Sequence, residues 1–367
     1  MVGWYSAGPF VQATPASESD FQADQSDIDP SGQPTPVLVG QYQTASRTSI
    51  APSMIQSELG SPRPVSDFRF DGKTTDRADL MLRRARHMID DGSAFETSVS
   101  VRAAFFGQRV AGSGHYIQAG QGAGKARTIL AFHIPSEARA THSPAVTSTA
   151  TPPQQKVTNL CDGRFVYRLH EDLIESQQTL EFYDLQKIKN SKSDRRNKPS
   201  NHRPGIPLAP GELMASGMAG LLQHLADEFR FAVVAEESGT RRTRTLRGTW
   251  QPRRIQRLMQ DYLGADGQQF ELAWSQLPPN LPHAVELSLV RTSEWELFPS
   301  SLTFYQFKVI DQRTMARPVV MIEFQDPKAL GTVADDQFVL RSENLEATDL
   351  TYQYLSKLRP EDDSAIR

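Results

Sequence analysis

The sequence predicts an α+β fold built on a strongly curved antiparallel sheet. Three observations predict it. Val157–Lys187, VTNLCDGRFVYRLHEDLIESQQTLEFYDLQK, reads as two extended runs around an Asp-Gly turn, then a third run. Residues 95–118 read as a second, longer hairpin. Two stretches, near 74–92 and 211–229, carry apolar residues at helical spacing. Strands with one apolar face must cover it with helices, a partner or a ligand.

The chain has 367 residues, enough for one large or two ordinary domains. A net charge of −3 gives no general attraction to a polyanion, so nucleic acid is not an expected partner. Hydrophobic content is 38%, and the mean hydropathy of −0.48 is low for this length. Unpacked segments are therefore expected outside a smaller core. One cysteine, Cys161, excludes an internal disulfide and a multi-Cys zinc site. It ends a strand run and reads as a buried structural thiol rather than a nucleophile. No uninterrupted apolar run has the length of a transmembrane helix. The N-terminal MVGWYSAGPFVQATPA lacks the basic n-region and long apolar core of a secretory signal.

Residues 1–66 are rich in Ser, Pro, Gln and Asp, and their first basic residue is Arg47. With Glu18, Asp20, Asp24, Asp27 and Asp29 they read as a disordered acidic tail. Structure is expected from near Thr74. Leu80, Leu82, Ala85, Met88 and Ile89 mark a helix, capped by Asp76 or a neighbouring Thr and closed by Gly92. Arg83, Arg84 and Arg86 form its solvent face. Val99, Val101, Ala103 and Phe105 then alternate with Ser98, Ser100, Arg102 and Ala104. Val110–Gln118 returns after a Gly-Gln turn, and ARTILAFHI is the next strand. Between them lies GQGAGK, 120–125. A phosphate loop needs Gly where Ala119 stands and Ser or Thr where Ala126 stands, so a hairpin turn is the reading.

Residues 135–155 form a Ser/Thr/Pro/Ala-rich insert. His133 and His142 lie near it without other ligand types, so no metal is expected there. In the central meander Asp162-Gly163 supplies the positive φ of a tight turn. Phe165, Tyr167 and Leu169 alternate with Arg164, Arg168 and His170, and Val166 breaks the pattern. Leu180, Phe182 and Leu185 belong to the third run. Residues 190–210 are a basic, Pro-rich second insert. No aromatic is interleaved there for base stacking, so it reads as a solvated linker.

The second helix, 211–229, carries Leu213, Met214, Met218, Leu221, Leu222 and Leu225. Gly217 and Gly220 each cost it about 1 kcal/mol relative to Ala and permit close backbone approach. Two readings stand: an adaptable lid over a hydrophobic cavity, or an ordinary core helix. Phe231–Val234 is a strand. TRRTRTLRGTW is a basic strand with a wet face, carrying Arg242, Arg244, Leu246 and Trp250. Pro252 starts a helix through Tyr262. Two strands joined near Pro299 and the long strand RPVVMIEFQD complete the sheet. Residues 341–367 are a C-terminal extension.

CDGRFVYRLHEDL…LEFYDLQKI resembles the central hairpin of periplasmic lipoprotein carriers of the LolA type and their LppX-like relatives. There a DG-x-x-x-[WY]-x-Y turn-strand precedes a strand of the form V-x-x-x-D-L. The opening helix and a long hairpin ending in GSGHY match how that family begins. The closing series matches too: a strand, a Pro turn, a strand and a strand carrying E-F. The resemblance spans about Thr74 to Leu340, interrupted by the two inserts. It implies an unclosed half-barrel with helices on the concave side. It also implies a non-enzymatic carrier of the periplasm or cell envelope, or a secreted one, acting as a monomer. Its ligand would be an acyl chain or lipoprotein-like molecule, and its partners lipid, lipidated protein or an envelope protein. The alternatives are an envelope scaffold or sensor on the same fold without a ligand, and an unrecognised hydrolase. The family has an arginine inside the cavity mouth. Arg102 lies on the corresponding strand, but its phase opposes Val101 and Ala103, so the role is not carried over.

No catalytic set stands out: no Gly-x-Ser-x-Gly elbow, no His-Glu-x-x-His, no helical i, i+4 histidine pair. Neither cofactor nor metal is expected. The expected ligand-binding residues are Val101, Phe105, Tyr116, Leu130, Phe132, Phe165 and Tyr167, with Leu221 and Leu225 above them. Acyl chains need only apolar area, about 0.8 kcal/mol per buried CH₂, so no polar motif need accompany such a site. The competing expectation is that the same residues pack together and leave no room.

Overall fold

Thirteen strands form one sheet in the computed structural model. It describes residues 59, 61–68, 70, 72–105, 108–133, 153–193, 217–237, 242–256, 281–310, 312–340 and 345–357. Most of the expected tail, most of both inserts and the end of the C-terminal extension lie outside the described residues. The strands are β1 (Arg63–Pro64), β2 (Ala94–Phe105), β3 (Gln108–Gln118), β4 (Lys125–His133), β5 (Gln155–Asp162), β6 (Phe165–Asp172) and β7 (Gln177–Asp184). They continue with β8 (Phe229–Glu237), β9 (Thr243–Trp250), β10 (Ala284–Val290), β11 (Phe298–Ile310), β12 (Arg313–Leu330) and β13 (Ala347–Asp349). The helices include α1 (Gly72–Asp90), α2 (Leu185–Ser193), α3 (Gly217–Glu228) and α4 (Thr351–Lys357), and residues 252–256 are also helical.

The order is β13-β7-β6-β5-β4-β3-β2-β12-β11-β10-β9-β8, with β1 beside β12. Among the described residues only β13 joins its neighbour in parallel. β2–β7 and β8–β12 are successive meanders, joined where β2 pairs with β12. The end strands β13 and β8 do not pair, so the sheet is unclosed, as expected.

Its curvature follows from α3. Twelve residues make a helix about 18 Å long. The first turn is bonded to Tyr116 and Gln118 of β3, and the last residue runs directly into β8. β3 and β8 stand six strands apart in the order, about 29 Å if the sheet were flat. The sheet therefore bends around the helix, which lies on its concave side.

Directly opposed residues share a face, so register sorts the side chains. The concave face carries Phe95, Val99, Tyr116, Ala126 and Leu130, packed with Leu82, Ala85 and Ile89 of α1 and Met218, Leu221, Leu222 and Leu225 of α3. Phe231, Leu246, Val285, Leu302 and Ile322 continue that core across the other meander. A separate cluster of Phe68, Ala284, Tyr305, Phe307 and Ala316 lies on the convex face.

Local expectations meet the structure with several differences. The helix α1 turns Ala78, Leu82, Ala85 and Ile89 inward, but Leu80 is 62% exposed and Met81 is buried in its place. The i, i+4, i+7 spacing from Ala78, not from Leu80, defines the inner stripe. Ordered structure precedes Thr74: Arg63–Pro64 pair with β12, and Phe68 stacks on Tyr305 and Phe307. The third run of the central meander stops at Asp184. Its Oδ1 accepts from the Gln186 and Lys187 N–H groups, so Asp184 is an N-cap and Leu185 opens α2. The Asp162-Gly163 turn is present, with Gly163 at φ 99° and Asp162 Oδ1 accepting from Arg164 and Phe165 N–H. GQGAGK is the β3–β4 turn, with positive φ at Gln121, Gly122 and Gly124.

Gly114 on β3 lies so close to β4 that a Cβ would run into the Ile129 carbonyl oxygen. Gly331 has open space at that position. Gly114→Ala should therefore destabilise by at least the 1–3 kcal/mol, roughly, of an overpacked site. Gly331→Ala should stay within about 0.5 kcal/mol of the parent. Equal denaturation midpoints for the two variants would refute the close approach of β3 and β4.

Candidate functional site

The concave face is built in transverse rows, each fixed by register. Phe95, Gln118, Ala126, Cys161 and Val166 make the first row; Thr97, Tyr116, Thr128, Asn159 and Arg168 the second. Val99, Gly114, Leu130, Val157 and His170 make the third; Val101, Gly112, Phe132, Gln155 and Asp172 the fourth. The helices close the face at the first and second rows. Tyr116 Oη donates to Gln118 Oε1 at 2.6 Å, and both oxygens accept from Met218 N–H, at 2.8 and 3.0 Å. Gly217 turns there at φ 75°, and a Cβ on it would touch Tyr116 and Gln118. Burial pushes the Tyr116 phenol up, far from ionisation at neutral pH.

The expected lining residues divide accordingly. Val101, Tyr116, Leu130 and Phe132 share the concave face with Leu221 and Leu225. Tyr116, Leu221 and Leu225 are fully buried, so α3 is packed into the core at that end rather than standing over a space. Tyr116 anchors the helix. Val101, Phe132 and Val157 remain half-buried. Phe105 ends β2, and its side chain lies outside the described residues.

Phe165 and Tyr167 are on the other face. The register Cys161↔Val166 and Asn159↔Arg168 puts Val166 and Arg168 on the concave side, which sends Phe165 and Tyr167 to the convex side. There they form a half-buried aromatic triangle with Phe182, centroids 5.9 to 6.2 Å apart. Val166, the residue that broke the alternation, is buried beside Cys161. Arg102 is convex and bonds Glu323 at 2.8 Å, away from any concave site.

Two cavities open among the described residues. One, ≈ 220 Å³, lies between α1, α3 and the β3–β4 turn, lined by Arg86, Asp90, Gln118, Lys125 and Gly217 among others. The other, ≈ 260 Å³, is convex, lined by Arg63, Glu286, Thr303, Tyr305 and Glu323 among others. Both have mixed polar and apolar walls, and neither is lined by an expected residue. No group of three His, Cys, Asp or Glu suited to a metal occurs among the described residues. No described helix is long and apolar enough to cross a membrane. Gln118, Asn159 and Arg168 also lie on the concave face, where the apolar pattern did not mark them. Their one signal was a polar residue breaking an otherwise apolar phase.

Neither a family model nor a curated protein matches the sequence. Solved structures resemble it. A DUF1329 family protein from Desulfovibrio piger is 10% identical, covering 72% of this chain and 97% of its own, with a TM-score of 0.32. A putative outer membrane lipoprotein-sorting protein domain from Vibrio parahaemolyticus is 8% identical over 71% of this chain and 96% of its own, at 0.30. A LolA superfamily protein from Nitrosomonas europaea is 12% identical over 72% and 97%, at 0.27. The LolA superfamily is the group the sequence motifs resemble. Scores of this size carry no argument about what the chain does.

Half-buried His170 and buried His283 are both disfavoured as cations. Burial, with a smaller contribution from Arg168, holds His170 down at about 4. Burial and Lys308 do the same for His283, whose Nδ1 accepts from the Phe307 N–H at 2.8 Å. Both ordinary values lie near 6.5, so between about 4 and 6.5 the unfolded chain binds more protons than the folded one. Stability from these groups is intact above 6.5 and falls as the pH drops through that window. His283→Asn should make the melting temperature fall less steeply between pH 7 and 4. An unchanged slope would show that His283 is not held neutral by the fold.

Proposed function

We propose that the chain is a non-catalytic binding protein of the cell envelope that holds an acyl chain or lipoprotein-like hydrophobic ligand on the concave face. The observation that carries this reading is the half-buried strip Val101, Phe132 and Val157. It lies beyond the rows that α1 and α3 close, on the same face as their core. Apolar surface left on the inside of an unclosed sheet takes a ligand or a partner. The ligand would be lipid or the lipid group of a modified protein, taken by a single chain.

A second reading is favoured by the dense packing of α3. Met218, Leu221, Leu222 and Leu225 are each at most 2% exposed. An envelope scaffold with a filled core would look the same there, and its partner would be a protein bound to the outside.

Native mass spectrometry of protein purified from a membrane-containing host separates the two. Bound lipid is expected in the parent and should be lost from a still-folded Phe132→Asp variant. A lipid-free parent that also ignores a fluorescent fatty-acid probe would end the carrier reading and leave the scaffold.

A further inference from the structure

The β11–β12 hairpin outruns its neighbours at the Val101 end of the sheet. β10 begins opposite Tyr305, at Ala284. β2 ends at Phe105, two residues past the Ala103↔Val320 pair, whereas β12 begins at Arg313. About five residues of each arm therefore project, roughly 17 Å past the sheet. Among the described strands β1 alone runs beside this part, at Met315 and Ala316.

Register sorts the projecting side chains. Phe307 and Ala316 oppose each other and belong to the convex cluster. The alternate residues, Lys308 with Met315, Ile310 with Arg313, and Arg317, are therefore on the concave side. Lys308, Arg313 and Arg317 are exposed, and Ile310 and Met315 are half-buried among them. No described acidic side chain pairs with any of the three cations, and the one acid in the sequence 308–317 is Asp311. Val309, on the other side of the ribbon, is 75% exposed. One exposed valine needs no explanation by itself. On a projecting ribbon with unpaired cations it completes an element that is basic and apolar together. The β6–β7 turn at the same end also exposes Leu173 and Ile174, but Glu171, Asp172 and Glu175 make that part of the rim acidic.

We infer that the β11–β12 hairpin docks the protein on an anionic lipid surface, with the open end of the concave strip toward the bilayer. The inference rests on the acyl-ligand reading above. Cations attract such a surface and apolar side chains enter its headgroup region. An acidic protein or a nucleic acid would engage the cations and leave Val309 in water. β12 runs from the ribbon straight into the concave face, where Ile322 opposes Val101 of the strip. An acyl chain passing between bilayer and strip would follow that strand.

Cosedimentation of the full chain with vesicles of phosphatidylcholine, with and without phosphatidylglycerol, tests this. The parent should bind the anionic vesicles and leave the neutral ones in the supernatant. Lys308→Gln combined with Arg313→Gln should weaken binding about tenfold or more. Val309→Ser, at an exposed position that does not endanger folding, should weaken it several-fold. Arg83→Gln combined with Arg86→Gln, which removes the same charge from α1, should leave it unchanged. Equal loss from the α1 variant, or parent binding that ignores phosphatidylglycerol, overturns the assignment to the hairpin. Val309→Ser binding as the parent does would leave a polyanion site only and overturn the lipid surface. A parent that binds no vesicle but still takes up a fluorescent fatty-acid probe overturns the docking element and leaves the carrier reading standing. A parent that binds anionic vesicles through the hairpin yet ignores the probe overturns the carrier reading instead.

Discussion

The pairing of β2 with β12 is the constraint on which the architecture depends. Each meander is made of neighbours in sequence, and hairpins of that kind close cheaply because the intervening loop is short. β2 and β12 are more than two hundred residues apart, and their register runs from Ala103↔Val320 to Ala94↔Leu330. That ladder turns two meanders into one sheet, placing Val99 and Val101 beside Phe324 and Ile322. Loop-closure entropy must be met before this contact rewards it. Its formation is therefore expected to be late and cooperative with the core beneath the helices.

Once the ladder is made, α3 determines the curvature. Its C-terminal end is covalently tied to β8, and its N-terminal end is tied to β3 by Tyr116 and Gln118. A helix N-terminus has backbone N–H groups that need acceptors. Here two side chains from a strand a hundred residues earlier supply one of them. A straight tether shorter than the flat sheet forces a bend. The bend brings the apolar rows of both meanders within reach of one pair of helices. Trp295 and Phe298, edge-on to Phe95 at 5.6 Å each, join the two halves of the core at that end.

Much of this was legible locally, and little of it globally. Asp162-Gly163, the alternation of Val99 to Ala103 and the stripe of α3 announce their elements because each rests on neighbours in sequence. The Tyr116–Gln118–Met218 bond was not legible, since nothing near any of the three residues marks the other two. The misplacement of Phe165 and Tyr167 has a sharper cause. Their face relative to Phe132 depends on the register of β4 against β5, and an insert separates those strands. Parity across an insert cannot be read from alternation within each run, and a slip of one residue inverts a whole strand. Asp184 misled in the other direction: an Asp ending an apolar run reads as strand until the helix it caps is seen.

The same register explains why the concave face has two characters. At the Phe95 end, large side chains from α1 and α3 fill the bend. Toward the Val101 end β3 contributes Gly112 and Gly114, which have no side chains, so β4 must supply the surface alone. It does so with Phe132, whose ring lies over Gly112: a Cβ there would meet the ring at 2.6 Å. The ring covers backbone that would otherwise face the open side of the sheet, and it stays half-buried because nothing on β3 packs above it. A hydrophobic chain laid along β4 and β5 would add to that ring without displacing the packed core.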